Sequence, residues 1–556
     1  MFVLFICQQF HHFYLSVGHS TSLYTRCKLV DRTIMKRPCI CCSVKILAVI
    51  TAVLVVVLAG ILVLSFYGIP RIVNSQVDAS VRLTENSDQW GRFLKLPIPI
   101  YIGVYLFTVR NGPAVMNGAV PKLEEVGPYV FREDISKKVL STNKDDDSVT
   151  YQKFTEQSFE QERSGQLTLD DNVTIVNPPL LVLTQITSVV EQLVVVGCLD
   201  KIFTPTYRDL FMTTTIRSVM FEGFEFARSS SDVGYACEVI RQQIIEKTKK
   251  MKNIRRIYSK EYPGMVEALR FSFLGFKTES PDGIYTLNRG IDDISKLGRI
   301  MQWNNSHYLP FWGTSQSINN DTCQLVEGGD STMYPPHATK DKGFVIFSTD
   351  ICRRVEVSYS STGTYKDIEG YRYEPKSDTF YSKLANVEED CFCTGRTLNP
   401  NGVRDCYLNG VIDVYDCFGA PLLLSFPHFL HADESYINGV QGVTSPDPEK
   451  HGIYLLIEPN TGTPLQGRKR VQLNVVLRNI EYIQFTQKLK PTVLPVIWIE
   501  ECADLTDDLI NILNNQFFKV VKIANGVKYG LIAVSSLSVL VVAGILIRKQ
   551  VISRRK

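Results

Sequence analysis

Two stretches of this chain carry no charge for about twenty residues, 46–67 (ILAVITAVLVVVLAGILVLSFY) and 529–547 (YGLIAVSSLSVLVVAGILI), close to the ~20 residues a helix needs to cross a bilayer. They predict transmembrane helices over 44–67 and 529–547. Between them the pattern is amphipathic. Asn177-Pro178-Pro179 supplies an N-cap and first-turn prolines for a helix running through LLVLTQITSVVEQLVVV to a stop at Gly197. Gln185, Glu191 and Gln192 exclude a third span. The spacing of Met212, Ile216, Val219 and Met220 predicts a second helix over 207–221. A third is expected over about 235–258, with Ile240, Ile244, Met251 and Ile254 on one side and Lys247, Lys249, Lys250, Lys252, Arg255, Arg256 and Lys260 crowding its second half. From about residue 275 the pattern changes to strands. GFVIFS at 343–348, IYLLIEP at 453–459 and VIWIE at 496–500 are short, rich in β-branched and aromatic residues, and bounded by breakers. Val471, Leu473, Val475 and Leu477 alternate with polar neighbours. A large antiparallel sheet or barrel follows, forming one domain with a helical subregion at about 177–260.

Charge then sets the orientation. Lys36, Arg37 and Lys45 precede the first span, and Arg548, Lys549, Arg554, Arg555 and Lys556 follow the second, so the positive-inside rule places both termini in the cytosol. Residues 1–43 and 548–556 are then cytosolic tails, and 68–528 is one exterior loop. Met35 stands directly before KRPCICC, which makes 1–34 a candidate alternative start. Cys39, Cys41 and Cys42 at the cytosolic mouth of the span are candidates for palmitoylation, with free thiols the alternative. A net charge of +3 gives no basis for nucleic-acid binding.

Nine of the fourteen cysteines fall in the exterior loop, where an oxidising compartment favours disulfides. Asn172-Val-Thr, Asn304-Asn-Ser and Asn320-Asp-Thr are glycosylation sequons for the same compartment. A zinc reading of Cys391, Cys393, Cys406 and Cys417 meets the ligand count but not the paired spacing of common zinc motifs.

Seven stretches in order carry a resemblance: GPYVFRE at 127–133, NPP at 177–179, FSTDICR at 347–353, CFC at 391–393, SFPHFL at 425–430, IEPNTG at 457–462 and PVIW at 495–498. With both spans, they resemble the class B scavenger receptor family. That family includes fatty acid translocase, the high-density lipoprotein receptor, a lysosomal integral membrane protein and the insect sensory neuron membrane proteins. The resemblance implies a membrane-anchored α+β fold: two transmembrane helices flanking a large antiparallel β-barrel-like ectodomain, with a helical bundle at the tip and a hydrophobic tunnel. It implies Cys323 paired with Cys391, Cys352 with Cys417, and Cys393 with Cys406. Cys198 and Cys237 flank the helical region as a candidate fourth bridge, and Cys502 is left over. The chain departs from the family pattern where Pro205-Thr-Tyr-Arg208 replaces a lysine pair and where Glu327-Gly-Gly-Asp330 replaces a glycosylated segment.

The resemblance implies a receptor whose partners are lipids, lipoproteins or apolar small molecules, with homo-oligomerisation open. Fatty acids, sterols or carotenoids leave water at about 0.8 kcal/mol per buried methylene, so a lined cavity transfers them without covalent chemistry or a cofactor. Lys249, Lys250, Lys252, Arg255 and Arg256 are candidate ligand-binding residues for anionic lipid, with a solvated helix face as the competing reading. No catalytic residue is expected. The chain has no Gly-rich phosphate cradle after a strand and no G-x-S-x-G elbow. His428 and His431, three apart on an expected strand, point to opposite faces and make no metal pair. A two-span channel subunit is disfavoured because neither span holds an ionisable residue. The tail RKQVISRRK lacks a dileucine-type signal, which favours the plasma membrane over the lysosomal or endosomal membrane; a lysosomal sorting receptor and an odorant-presenting sensory protein are the alternatives.

Overall fold

A computed structural model describes residues 44–555, apart from 187–188, 204–207, 230–232, 313–322 and 383–384. Cys39, Cys41, Cys42, Asn320, residues 1–34 and most of the 205–208 departure therefore lie outside the described residues. The described chain falls into two compact units: the apolar helices before Ile69 and after Ile523, and the intervening Ile69–Ile523.

The first unit holds the helix Val44–Val63 with a π-turn at Leu64–Gly68, and most of the final helix, Lys519–Arg554. Both are long and apolar enough to span a bilayer. The Lys528 ammonium stands 4.2 Å from the Phe66 ring and 5.3 Å from that of Tyr529. This is the placement expected where a cationic head and aromatic rings share the interfacial level.

The second unit is built on a sheet that closes on itself. In spatial order its twelve strands are Thr463–Leu477, Tyr454–Glu458, Ile368–Pro375, Arg353–Tyr365, Phe344–Ser348, Gly328–Gly329, Arg299–Trp303, Ile284–Asn288, Ser148–Phe159, Leu123–Asn143, Ile100–Val109 and Thr492–Asp504. The last pairs back onto the first, with Val471 opposite Ile499 and Leu473 opposite Ile497. Two short strands, Leu423–Ser425 and Val411–Asp413, branch from Thr463–Leu477. The strand segments read from the sequence at 343–348, 453–459, 471–477 and 496–500 all fall in this ring.

The helical subregion departs from expectation. The helix begins at Pro178, where Asn177 Oδ1 accepts from the Leu180 N–H at 3.2 Å, and a second helical stretch, Val189–Ile202, continues past Gly197. The expected helix over 207–221 is not formed. Phe211–Thr215 is a strand pairing with Asn172–Val176, followed by a π-turn at Ser218–Glu222. Three successive threonines favour extended backbone, and burial of Met212, Thr214 and Ile216 follows the period of two. The third helix stops at Lys247, and Ile254–Tyr258 is a strand pairing with Val266–Phe271. Its face toward the core is anchored by Arg241, fully buried, which pairs with Glu238 at 2.7 Å and donates to the Val266 carbonyl at 3.0 Å.

Four disulfides staple these segments. Cys198–Cys237 ties the helix Val189–Ile202 to the helix Tyr235–Lys247, while Cys323–Cys391, Cys352–Cys417 and Cys393–Cys406 knit the irregular stretches between ring strands. Cys502 is a free thiol on the closing strand, and burial pushes its pKa up to about 12, so it is no thiolate at neutral pH. Gly442, at φ +86°, approaches the Leu123 backbone so closely that a Cβ would land on the Leu123 carbonyl oxygen. Gly442→Ala is expected to cost at least about 2 kcal/mol, read as a lower denaturation midpoint of the purified protein.

Candidate functional site

The ring encloses a cavity of about 480 Å³, within the size range of small-molecule sites. Two kinds of side chain line it, from ring strands and from the helix and turns between them. Ile135, Ile300, Ile346, Val355, Val357 and Tyr373 form an apolar side, and Glu133, Lys153, Lys277, Asp282, Asp350, Lys469 and Glu501 form a charged one. A second void of about 90 Å³ shares Phe276, Lys277, Asp350 and Glu501 with the first; apart from Asn253 the rest of its wall is apolar, with Pro178, Val182, Met251 and Leu473 among it.

The charged side is one connected cluster. Asp350 receives Lys277 at 2.8 Å and Lys469 at 2.5 Å; Lys469 also reaches Glu501 at 2.9 Å. Lys153 pairs with Asp282 at 2.8 Å, and Tyr285 and Thr349 both donate to Asp282 at 2.7 Å. Glu133 accepts from the Gln157 amide at 2.7 Å. The paired side chains are only 22–29% exposed, so the pairs are weakly screened. Burial alone would raise the Asp350 pKa, but Lys277, Lys469 and Lys153 outweigh it and hold the carboxyl well below its ordinary value. Burial would lower the Lys277 ammonium, yet Asp350, Glu501 and Glu133 keep it raised. Glu133 is pushed up by burial, against the pull of Lys277 and with the repulsion of Glu501 added. Deeper in the wall Lys137 pairs with Asp330 at 2.5 Å, both almost fully buried, with the Lys137 ammonium 4.4 Å from the Phe93 ring centroid. Asp330 belongs to the segment that departs from the family pattern, and it is a core residue of the barrel wall.

The basic residues singled out from the sequence do not share a helix face. Lys249 and Lys250 lie in a 3-10 turn and Lys252 follows it, all exposed; Arg255 and Arg256 are on a strand, where neighbours point to opposite sides. Lys249 pairs with Glu246 at 2.9 Å, and Arg256, half-buried, donates to the Ile245 carbonyl. Lys252 stands 5.7 Å from the Trp303 ring at the cavity rim. Asn172 is exposed at the start of its strand; Asn304 is exposed in a turn, its side-chain oxygen accepting from the Ile284 N–H at 3.0 Å.

His428 and His431 are not on a strand. Pro427–Phe429 forms a 3-10 turn that buries His428, which stands 2.5 Å from Glu125 and stacks on His451 at 4.0 Å, while His431 packs edge-on to Phe426. Burial, with His428 adjacent, pulls His451 down to about 4. Among the described residues no group of three or more His, Cys, Asp or Glu side chains is arranged to hold a metal ion.

The family model described as the CD36 family matches residues 50–546. The chain belongs to the CD36 family. Among curated relatives, sensory neuron membrane protein 2 of Anopheles gambiae is 32% identical over 519 residues, covering 84% of this chain and 87% of that protein. Sensory neuron membrane protein 2 of Drosophila melanogaster is 28% identical over 512 residues, with 82% and 89% covered. Sensory neuron membrane protein 1 of Manduca sexta is 28% identical over 483 residues, with 85% of each chain covered. Family membership and the two apolar helices make this a two-span membrane protein of the class B scavenger-receptor type.

The cluster generates a pH test. A carboxyl held below its unfolded value contributes stability that is present above that value and is lost as pH falls through it. For Asp350 the loss begins near pH 3.8. Asp350→Asn is expected to lower stability at neutral pH by roughly 2 kcal/mol and to flatten the acid limb. Urea denaturation of the purified protein followed between neutral pH and about pH 3 measures both.

Proposed function

We propose that the protein is a cell-surface receptor that binds lipids or lipoproteins and transfers apolar cargo of the fatty-acid, sterol or carotenoid class to the membrane through its barrel interior, without catalysis or a cofactor. The observation that carries this reading is the 480 Å³ cavity inside a closed ring, adjoined by a second apolar void. Burial of each methylene is worth about 0.8 kcal/mol, so an acyl chain finds in the interior a solvent that water does not offer. Lys249, Lys250, Lys252, Arg255 and Arg256 supply the positive surface that draws anionic lipid to it. The cytosolic termini, the glycans on Asn172, Asn304 and Asn320, and the plasma-membrane setting belong to the same reading. The names of the relatives favour a sensory neuron membrane as the setting, where the cargo is an apolar odorant presented to a neighbouring receptor.

The decisive experiment is mass spectrometry of small molecules co-extracted with the purified full-length glycoprotein, beside a control whose exterior loop is replaced by an unrelated domain. Defined apolar molecules enriched over the control are expected; an inventory identical to the control overturns the cargo reading. Substituting Lys249, Lys250, Lys252 and Arg255 together by Ala is expected to weaken capture of phosphatidylserine vesicles by about 1 kcal/mol per charge removed, while the co-extracted cargo stays the same.

A further inference from the structure

On the outer face of the ring, one loop is held down by a single histidine. Val471, Leu473 and Ile499 line the second void, so the alternate residues Arg470, Gln472, Trp498 and Glu500 of the same two strands turn outward. Residues 426–452 cross over them between the strands Leu423–Ser425 and Tyr454–Glu458. Backbone fixes the first part of that crossing: the Leu123 N–H donates to the Gln441 carbonyl at 2.8 Å, and the Gln441 N–H to the Pro121 carbonyl at 2.9 Å. Over 443–452 the one buried residue is His451.

Its seat requires a neutral ring. His451 stacks on His428 at 4.0 Å and meets Trp498 edge-on at 5.9 Å, while its Nδ1 accepts from the Asp447 N–H at 2.9 Å. An Nδ1 that accepts carries no proton. His428 is placed the other way, with Nε2 facing Glu125 at 2.5 Å and Nδ1 facing the Thr444 carbonyl at 2.9 Å, an acceptor at each nitrogen. A proton on His451 Nδ1 therefore turns its bond to Asp447 into two opposed N–H groups and sets a cation flat against a ring already placed to donate twice. The surrounding charges give that cation no free partner. Glu125 serves His428 and the Trp498 indole N–H at 3.1 Å, and Asp447 caps the Glu449 N–H at 2.9 Å beside Lys450 at 3.8 Å. Glu500 pairs with Arg470 at 2.6 Å, and Glu449 with Arg372 at 3.0 Å. Arg470 also donates to the Glu449 and Gly452 carbonyls at 3.0 and 2.6 Å, so the loop's other clamp is itself a cation. His431 packs on Phe426 and faces Glu374 instead.

We propose that loop 443–452 is an acid-released latch on the outside of the barrel seam, closed while His451 is neutral and lifted when it takes a proton, baring the Trp498 indole and the His428–Glu125 pair. The sign follows from linkage. Seated, His451 is held near 4 by burial and His428; in the lifted loop it returns to its ordinary 6.5. The lifted state binds more protons between those values, so the seat is intact above about pH 6.5 and weakens by up to about tenfold per pH unit as pH falls toward about 4. A chain carried from a neutral exterior into an acidified compartment changes the face it presents there, on the side of the wall away from the voids.

The test is hydrogen–deuterium exchange of the purified full-length glycoprotein in detergent at about pH 7 and about pH 5, each corrected for the intrinsic exchange rate. Protection of the Lys450, His451 and Gly452 amides, which donate to the Asp447 and Pro448 carbonyls, is expected to fall at least about tenfold at the lower pH, while the ring strand Phe344–Ser348 keeps its own. His451→Phe leaves an aromatic anchor with nothing to titrate and is expected to abolish the difference; if it does not fold, as read from its thermal melt, His451→Gln serves the same purpose. His431→Asn is expected to retain it. Equal loop protection at both pH values in the wild type overturns the latch, as does a fall that the ring strand shares. A fall that persists without His451, or that vanishes with His431, overturns His451 as the group that titrates.

Discussion

The strand Thr492–Asp504 is hydrogen-bonded along both edges, to Ile100–Val109 on one side and to Thr463–Leu477 on the other, and the rest of the domain depends on that double pairing. Because the first and last strands of the ring are neighbours, the sheet has no free edge around its circumference, the route by which all-β folds avoid edge-to-edge association. Closure also fixes an interior. Eight strands give a barrel that side chains just fill; twelve leave a void, so what lines it becomes a chemical choice. Tyr105 stacks on Trp498 at 3.7 Å where Ile100–Val109 meets Thr492–Asp504, with about 1 kcal/mol beyond area burial expected of such an aromatic pair.

Much of this frame was legible in the sequence, and what was not has identifiable causes. Long uncharged runs and short β-branched segments are local signals, and the spans and the strands at 343–348, 453–459, 471–477 and 496–500 followed from them. The misreading of 207–221 came from four apolar positions that fit a helical period while Thr213, Thr214 and Thr215 argued for extended backbone. In 248–258 the lysines drew attention to a helix face, whereas pairing with Val266–Phe271, a tertiary term, decided the conformation. The ion cluster went unseen because its members meet only in space; Lys469 and Asp350 are 119 residues apart. A faint local signal existed. Glu133 ends GPYVFRE and Glu501 follows VIWIE, each a carboxylate inside a strand pattern, while Asp350 sits inside FSTDICR in the turn after Phe344–Ser348.

The cluster is also a constraint on what the interior is for. Buried ion pairs seldom add net stability, because desolvation offsets their attraction and a well-packed apolar substitute does as well or better. Lys277, Asp350 and Glu501 stand where the two voids adjoin, with Lys469 paired to both carboxylates. The junction is not built to swing open. Phe276 and Lys277 project from the short helix Gly275–Glu279, and a Cβ at Gly275 would meet Ser272 Oγ and the Phe221 carbonyl oxygen, so that helix is seated directly against the Ser218–Glu222 turn. Phe273 and Leu274 donate backbone hydrogen bonds to the Val219 and Met220 carbonyls at 2.9 and 2.8 Å, fixing the approach on the other side. With its backbone held there, the wall between the two voids presents a fixed set of charges, those of Lys277, Asp350 and Glu501, to both.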